Sequence, residues 1–140
     1  MLDYKESINM IVQWAAIKGY KVLGKWEEDA YYEEDKAIVY SLGTKNKKNQ
    51  LYSLLHECGH ALAYESKGYQ NRFPTLAKHR FKSAKVNQRT NTYKVESIIE
   101  EYDAWSRGLA LSQRLGIEID KEDYGKYASR YVMTYIRRAK

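Results

Sequence analysis

The sequence predicts an α+β domain with an N-terminal helix, a small antiparallel sheet of two or three strands, and a run of helices after it. Two patterns predict this order. Apolar residues recur at helical spacing near the N-terminus and through most of the second half of the chain, while short β-prone runs lie between residues 20 and 43. The 140 residues, 44% hydrophobic and 30% charged, suffice for one folded core. We therefore expect a single domain over residues 1–140.

The first helix is predicted from its N-terminal cap and its apolar spacing. Asp3 and Glu6 are three residues apart, as in a capping box, and Ile8 and Ile11 follow at helical spacing. Gly19 is expected to end the helix.

The sheet is predicted from three β-prone runs, at residues 20–23, Ala30–Tyr32 and Ala37–Ser41. Acidic or glycine-containing turns separate them, so antiparallel pairing is expected. The second helix is predicted over residues 50–66 and the third over residues 93–115.

A fourth helix is predicted to open at Asp120, because tyrosines and small apolar residues then keep helical spacing to the end of the chain. Residues 66–94, between the second and third helices, form a basic insertion without a clear structural pattern. From Ser66 to Tyr93 it carries seven cations and no acid: Lys67, Arg72, Lys78, Arg80, Lys82, Lys85 and Arg89. The insertion is either a solvated loop or a surface that attracts a polyanion, and we expect at most weak nucleic-acid binding through residues 67–94.

Composition also bears on the compartment. The sequence has no stretch of about 20 apolar residues, so no membrane partner is expected. The N-terminal residues do not resemble a signal peptide, and the single cysteine, Cys58, cannot form an internal disulfide. These features favour the cytoplasm.

The chemistry is predicted in the second helix, in the run His56-Glu57-Cys58-Gly59-His60. The two histidines are four residues apart, so their imidazoles project from one side of a helix. At that spacing they bind one Zn²⁺ per chain, and Glu57 beside them accepts a proton from metal-bound water. The apolar residues fall on the opposite side of the helix: Leu51, Leu54, Leu55, Cys58 and Leu62. Cys58 is therefore expected in the core and not at the metal.

A catalytic zinc site needs a third protein ligand. The extended metzincin motif requires glycine at position 63 and histidine at position 66, and Ala63 and Ser66 exclude it. The remaining candidates are His79 and a carboxylate of the third helix.

Helical phase favours Glu101 as this ligand. The apolar stripe of the third helix is predicted to be Val95, Ile98, Tyr102, Trp105 and Leu109, with Glu100 facing water. Glu101 flanks the stripe on the side of Ala104, Gly108 and Ser112, where small residues allow another helix to approach closely. Such an approach would bring Glu101 to a metal held by that helix.

The run from Leu54 to Leu62, together with Glu101-Tyr102-Asp103-Ala104, resembles the ImmA/IrrE-like metallopeptidases, which have a minimal gluzincin (zincin-like) fold. This resemblance implies a zinc-dependent peptidase acting on protein or peptide substrates. It implies that His56, His60 and Glu101 bind zinc and that Glu57 is the general base. It also implies that Ala37–Ser41 is an edge strand, where Ile38, Val39 and Tyr40 would bind substrate backbone.

Two alternatives remain open. A SprT-like protease acting on DNA-bound proteins would use His79 as the third ligand and the basic insertion as its DNA contact, although Arg80 stands where that family has glycine. A noncatalytic binding protein would keep a structural metal site.

Overall fold

The computed structural model describes residues 3–43, 45–82 and 85–140. Their fold is α+β, as the sequence predicts, with six α-helices and one three-stranded sheet. The helices are α1 (Tyr4–Ile17), α2 (Lys47–Glu65), α3 (Tyr69–Arg72), α4 (Pro74–Arg80), α5 (Asn91–Arg114) and α6 (Lys121–Ala139). The strands are β1 (Lys21–Lys25), β2 (Ala30–Tyr32) and β3 (Ala37–Ser41). The Asp3 side chain caps α1 by accepting a hydrogen bond from the backbone N–H of Glu6, which confirms the predicted start of this helix.

The sheet is mixed, so the expectation of a wholly antiparallel sheet is wrong. The strand order is β1-β3-β2, with β2 antiparallel and β1 parallel to β3. Residues 26–29 carry the chain across to the far side of β3, and the turn at residues 33–36 then leads back between the two outer strands. The antiparallel expectation holds for β2 and β3 and fails for β1, which pairs with β3 in parallel.

The central position of β3 corrects the expected edge strand. Ile38, Val39 and Tyr40 belong to a strand whose backbone pairs on both sides, so it cannot accept a substrate strand. Ile38 and Val39 are almost completely buried. The outer strands of this sheet are β1 and β2.

The core lies on the apolar side of α2, against α1, β3 and the first turns of α6. Leu51, Leu54, Leu55 and Cys58 are inaccessible to solvent, which confirms that Cys58 is a small buried residue. Tyr124 and Tyr127 of α6 complete this core. Within the part of the chain that the structure describes, no helix is both long enough and apolar enough to cross a membrane.

The basic insertion contains α3 and α4, which the sequence pattern did not predict. Their apolar side chains form a small second core with Ala63 at the end of α2: Tyr69, Phe73, Leu76 and Ala77. Several of the cations pair with acidic side chains of other elements, namely Arg72 with Asp103, Arg80 with Glu100 and Lys82 with Glu34. The insertion therefore docks on the rest of the domain, at least through residue 82.

Helices α2 and α5 approach closely because glycines line their contact. A Cβ placed on Gly59 would lie 1.8 Å from the carbonyl oxygen of Ala104, and one on Gly108 would lie 2.5 Å from the carbonyl oxygen of Leu55. Ala104 and Ser112 are fully buried on the same side of α5. The predicted close approach along the small residues of α5 is confirmed, and its partner is the motif helix.

We predict that Gly59→Ala is strongly destabilising, because the added methyl group meets backbone atoms that cannot turn away. Overpacking of this kind costs about 1–3 kcal/mol or more. Gly125→Ala is the matched control, since Gly125 lies on α6 with open space around it and alanine favours a helix by about 0.5–1 kcal/mol. Urea denaturation should give opposite signs for the two changes; a neutral Gly59→Ala would contradict the close contact.

Candidate metal centre

The motif residues lie in the middle of α2 on the side that faces away from the main core. The side chains of His56 and His60 are 12% and 14% exposed, and Glu57 is buried. One ligand atom from each of the three lies within 4.8 Å of the others. This arrangement could hold a metal ion, and the predicted placement of both imidazoles on one side of the helix is confirmed.

Glu101 reaches this group from α5. Its Oε1 lies 2.7 Å from His56 Nε2, and its Oε2 lies 3.1 Å from His60 Nε2. Ligand atoms about 2.0–2.1 Å from a tetrahedral zinc ion stand roughly 3.3 Å apart, so a small widening of this cluster would admit an ion. The structure thus brings together His56, His60, Glu57 and Glu101.

Two carboxylates compete for the role of third ligand. Glu57 Oε2 lies 3.6 Å from His56 Nδ1, whereas Glu101 faces the Nε2 atoms of both histidines. A single ion bound by both Nε2 atoms would therefore meet Glu101 directly. This favours Glu101 as the ligand and leaves Glu57 beside the ion.

His56 Nε2 gives a direct test of whether a metal fits. This buried nitrogen lies 2.7 Å from Glu101 Oε1 as an ion-pair contact, and it has no further polar partner among the described residues. Buried polar atoms are rarely left unpaired. A cation bound between this nitrogen and the carboxylate would satisfy both, so the donor set fits a metal.

Trp105 fixes the orientation of the His56 ring. The two rings stack with centroids 4.1 Å apart and planes inclined by 10°. Trp105 in turn packs edge-on against Tyr124 and Tyr127 of α6, and its carbonyl oxygen accepts a hydrogen bond from the Tyr124 hydroxyl. Sequence reasoning placed Trp105 in an apolar stripe and missed this contact; its position four residues after Glu101 was the available signal.

The expectation that Glu100 faces water is wrong. Glu100 is 4% exposed and accepts hydrogen bonds from the Tyr69 hydroxyl and from Arg80 Nε and Nη2. Its Oε1 also lies 3.6 Å from His60 Nδ1. Glu100 therefore belongs to the surroundings of the metal centre.

The error arose from the predicted apolar stripe of α5. Val95 and Tyr102, taken as packed, are 53% and 66% exposed. The buried side of the helix consists of acidic and small residues: Glu96, Glu100, Glu101, Ala104, Gly108 and Ser112, together with Trp105 and Leu111. Because we assigned the apolar side of α5 to the interior, Glu100 on its polar interior side was placed in solvent.

Buried carboxylates surround the two imidazoles and dominate the electrostatics of the site. Burial raises the pKa of Glu57. Burial also acts to raise the pKa values of Glu100 and Glu101. Nearby cationic and hydrogen-bonding groups outweigh burial, so the pKa of Glu100 falls to about 2 and that of Glu101 falls further. Burial opposes protonation of His60, yet the adjacent Glu100 and Glu101 raise its pKa to about 10. The site stabilises positive charge between its carboxylates, as a cation site must.

His79, the alternative ligand, lies elsewhere. It is exposed on α4, its ring contacts that of Tyr93, and it lines a surface cavity with Glu33, Lys82 and Lys85. A separate polar cavity of about 280 Å³ opens onto Glu57, His60 and Glu101. Arg80, the next residue, lines both cavities and reaches the motif from the basic insertion.

Comparisons of the chain with protein-family models, with curated proteins and with solved structures found no match. Function is therefore inferred from the residues and from the geometry of the site.

We predict that Glu101→Ala weakens Zn²⁺ binding by at least about 10-fold, because the two imidazoles lose the carboxylate that faces both of them. His79→Ala is the matched control and should leave the affinity unchanged, since this exposed histidine lines another cavity. Competitive titration against a chromophoric chelator measures both. Loss of the metal in His79→Ala alone would reject Glu101 as the ligand.

Proposed function

We propose that this protein is a zinc-dependent peptidase with one Zn²⁺ per chain, bound by His56, His60 and Glu101. The observation that carries the proposal is the approach of both Nε2 atoms to a single carboxylate supplied by another helix, with Glu57 beside them. Two histidines one turn apart, a third ligand from a second helix and an adjacent free glutamate form the donor set of a hydrolytic zinc site.

When bound, zinc would lower the pKa of a coordinated water to about 7 and polarise the scissile carbonyl group. Glu57 would accept the proton from the attacking water and later deliver it to the leaving amine. Its burial suits the first of these steps, because a carboxylate whose pKa is raised by burial accepts a proton more readily than an exposed one. The stacked Trp105 would keep the His56 ring in one orientation during the reaction.

Peptide substrates would enter through the polar cavity beside Glu57. Asp29, Ala30 and Tyr31 form one wall of this cavity, so β2 is the outer strand next to the candidate site. A substrate in extended conformation could pair with the free edge of β2, and the amide to be cleaved would then pass close to His60 and Glu57. This assignment replaces the expected role of β3.

Hydroxyl groups surround the same cavity and could stabilise the oxyanion that forms during hydrolysis. Tyr64, Tyr93 and Tyr135 line it from α2, α5 and α6. Burial raises the pKa of Tyr135, and the carboxylates of Glu101 and Glu57 raise it further, so this phenol remains protonated and able to donate a hydrogen bond.

The location of His79 argues against the SprT-like alternative. That mechanism needs His79 at the metal, whereas its side chain is exposed on α4 and its next neighbour, Arg80, reaches the site instead. The peptidase is therefore preferred over the SprT-like protease, and the cleavage assay below separates it from a noncatalytic metal-binding protein.

We predict that Glu57→Gln retains one zinc ion per chain but loses catalysis by about 10²–10⁴-fold, because the amide cannot accept a proton. Zinc-loaded wild type and variant would be incubated with a library of unstructured peptides, and new N-termini would be identified by mass spectrometry. Elemental analysis of the same samples gives the metal content.

Four results would contradict the proposal. A wild-type protein that binds no zinc rejects the metal site, and one that binds zinc without cutting any peptide rejects the peptidase activity. Loss of zinc in Glu57→Gln would make Glu57 a ligand and Glu101 something else. Equal cleavage by wild type and variant would identify the activity as a contaminant.

A further inference from the structure

Two carboxylates flank the His60 imidazole, one at each ring nitrogen. Nε2 hydrogen-bonds Glu101 Oε2 at 3.1 Å, and Nδ1 lies 3.6 Å from Glu100 Oε1. A histidine that binds a metal through one nitrogen usually presents the other to a carboxylate, which sets the ring orientation and the basicity of the ligand. Glu100 occupies the place of that carboxylate.

Glu100 is itself held by groups from the basic insertion. The Tyr69 hydroxyl and Arg80 Nη2 donate to its two oxygens, and Arg80 Nε adds a hydrogen bond of 3.2 Å to Oε2. A guanidinium that binds both oxygens of a carboxylate fixes its plane as well as its charge. The orientation of Glu100 therefore depends on Arg80.

The position of Arg80 is also fixed by the fold. Helix α4 is joined to α5 at both ends: Glu96 Oε1 accepts the backbone N–H groups of Thr75 and Leu76 at 2.9 and 3.1 Å, and Arg80 at the other end reaches Glu100 one turn further along α5. Leu76 packs in the second core between these two contacts. The buried acids of α5 thus dock α4 in a defined register.

We propose that Arg80 and Glu100 are positioning residues that orient His60 as a metal ligand, so that the basic insertion is a structural part of the metal centre. This inference rests on the metal site of the proposed function. Arg80 and Tyr69 both bind Glu100, and Glu100 lies beside the His60 imidazole. The cationic charge of the insertion at this point pairs with the protein's own buried carboxylate, Glu100.

The test measures zinc affinity by chelator competition and the visible spectrum of the Co²⁺-substituted protein, which reports ligand geometry. Arg80→Ala should weaken Zn²⁺ binding by about 10-fold and alter the Co²⁺ spectrum. Glu100→Gln should have a similar effect, and Arg80→Lys should restore part of the affinity. Lys82→Ala is the control, because Lys82 is exposed and pairs with Glu34 away from the metal.

Removal of Arg80 alone leaves a buried carboxylate without its cation and can unfold the protein. The double variant Arg80→Met/Glu100→Gln avoids this charge, and circular dichroism of the metal-free proteins shows whether each is folded. If the two residues act as one unit, the double variant loses no more zinc affinity than either single variant. Additive losses with an unchanged Co²⁺ spectrum, or wild-type affinity in Arg80→Ala, would overturn the proposal.

The outcomes also separate this proposal from the proposed function. If the wild type binds zinc more tightly than Arg80→Ala but cleaves no peptide, only the peptidase activity is rejected. An active peptidase whose zinc affinity is indifferent to Arg80 rejects the positioning role alone. A wild type that binds no zinc rejects both.

Discussion

The close contact between α2 and α5 determines the rest of the site. Gly59 and Gly108 leave no room for side chains at the crossing, and this brings the backbone of one helix against that of the other. On α2, His56 lies between the contact residues Leu55 and Gly59. On α5, Glu101 lies about one turn before the contact residue Ala104. The Glu101 carboxylate reaches both imidazoles because the two helix axes are close together. The arrangement of the donor atoms therefore depends on Gly59 and Gly108, which have no side chains.

The same helix contact buries three carboxylates that need cations as partners. Glu57, Glu100 and Glu101 are each no more than 4% exposed. Among the residues that the structure describes, Arg80 is the one cation outside the motif that forms an ion pair with this cluster. Burying ionised carboxylates is unfavourable unless they are paired, and a core of apolar residues would stabilise the domain more. Such a cluster in a cavity is typical of a functional site, and a divalent cation at His56 Nε2 would balance the charge that Arg80 leaves.

The sequence predicted the parts of this structure that depend on local pattern. The spacing of His56 and His60 and the row of small residues after Glu101 sufficed to predict which atoms converge. It could not predict the strand order, since pairing of β1 with β3 is a tertiary choice. The sequence pattern misplaced Glu100 because the inward side of α5 is polar. A helical phase assigned from hydrophobicity then places the buried side of this helix in solvent.

The polar interior of α5 is tolerated because α2 separates two kinds of packing. One side of α2 carries Leu51, Leu54, Leu55 and Cys58 into a conventional apolar core with α1, β3 and α6. The other side carries the histidines toward α5. Apolar burial on the first side stabilises the domain, whereas the charged groups buried on the second side carry a cost in stability. The aromatic residues of α6 join the two, since Tyr124 packs in the apolar core and also against Trp105, the residue that stacks on His56. Through these ring contacts the apolar core holds the His56 imidazole of the candidate metal centre in place.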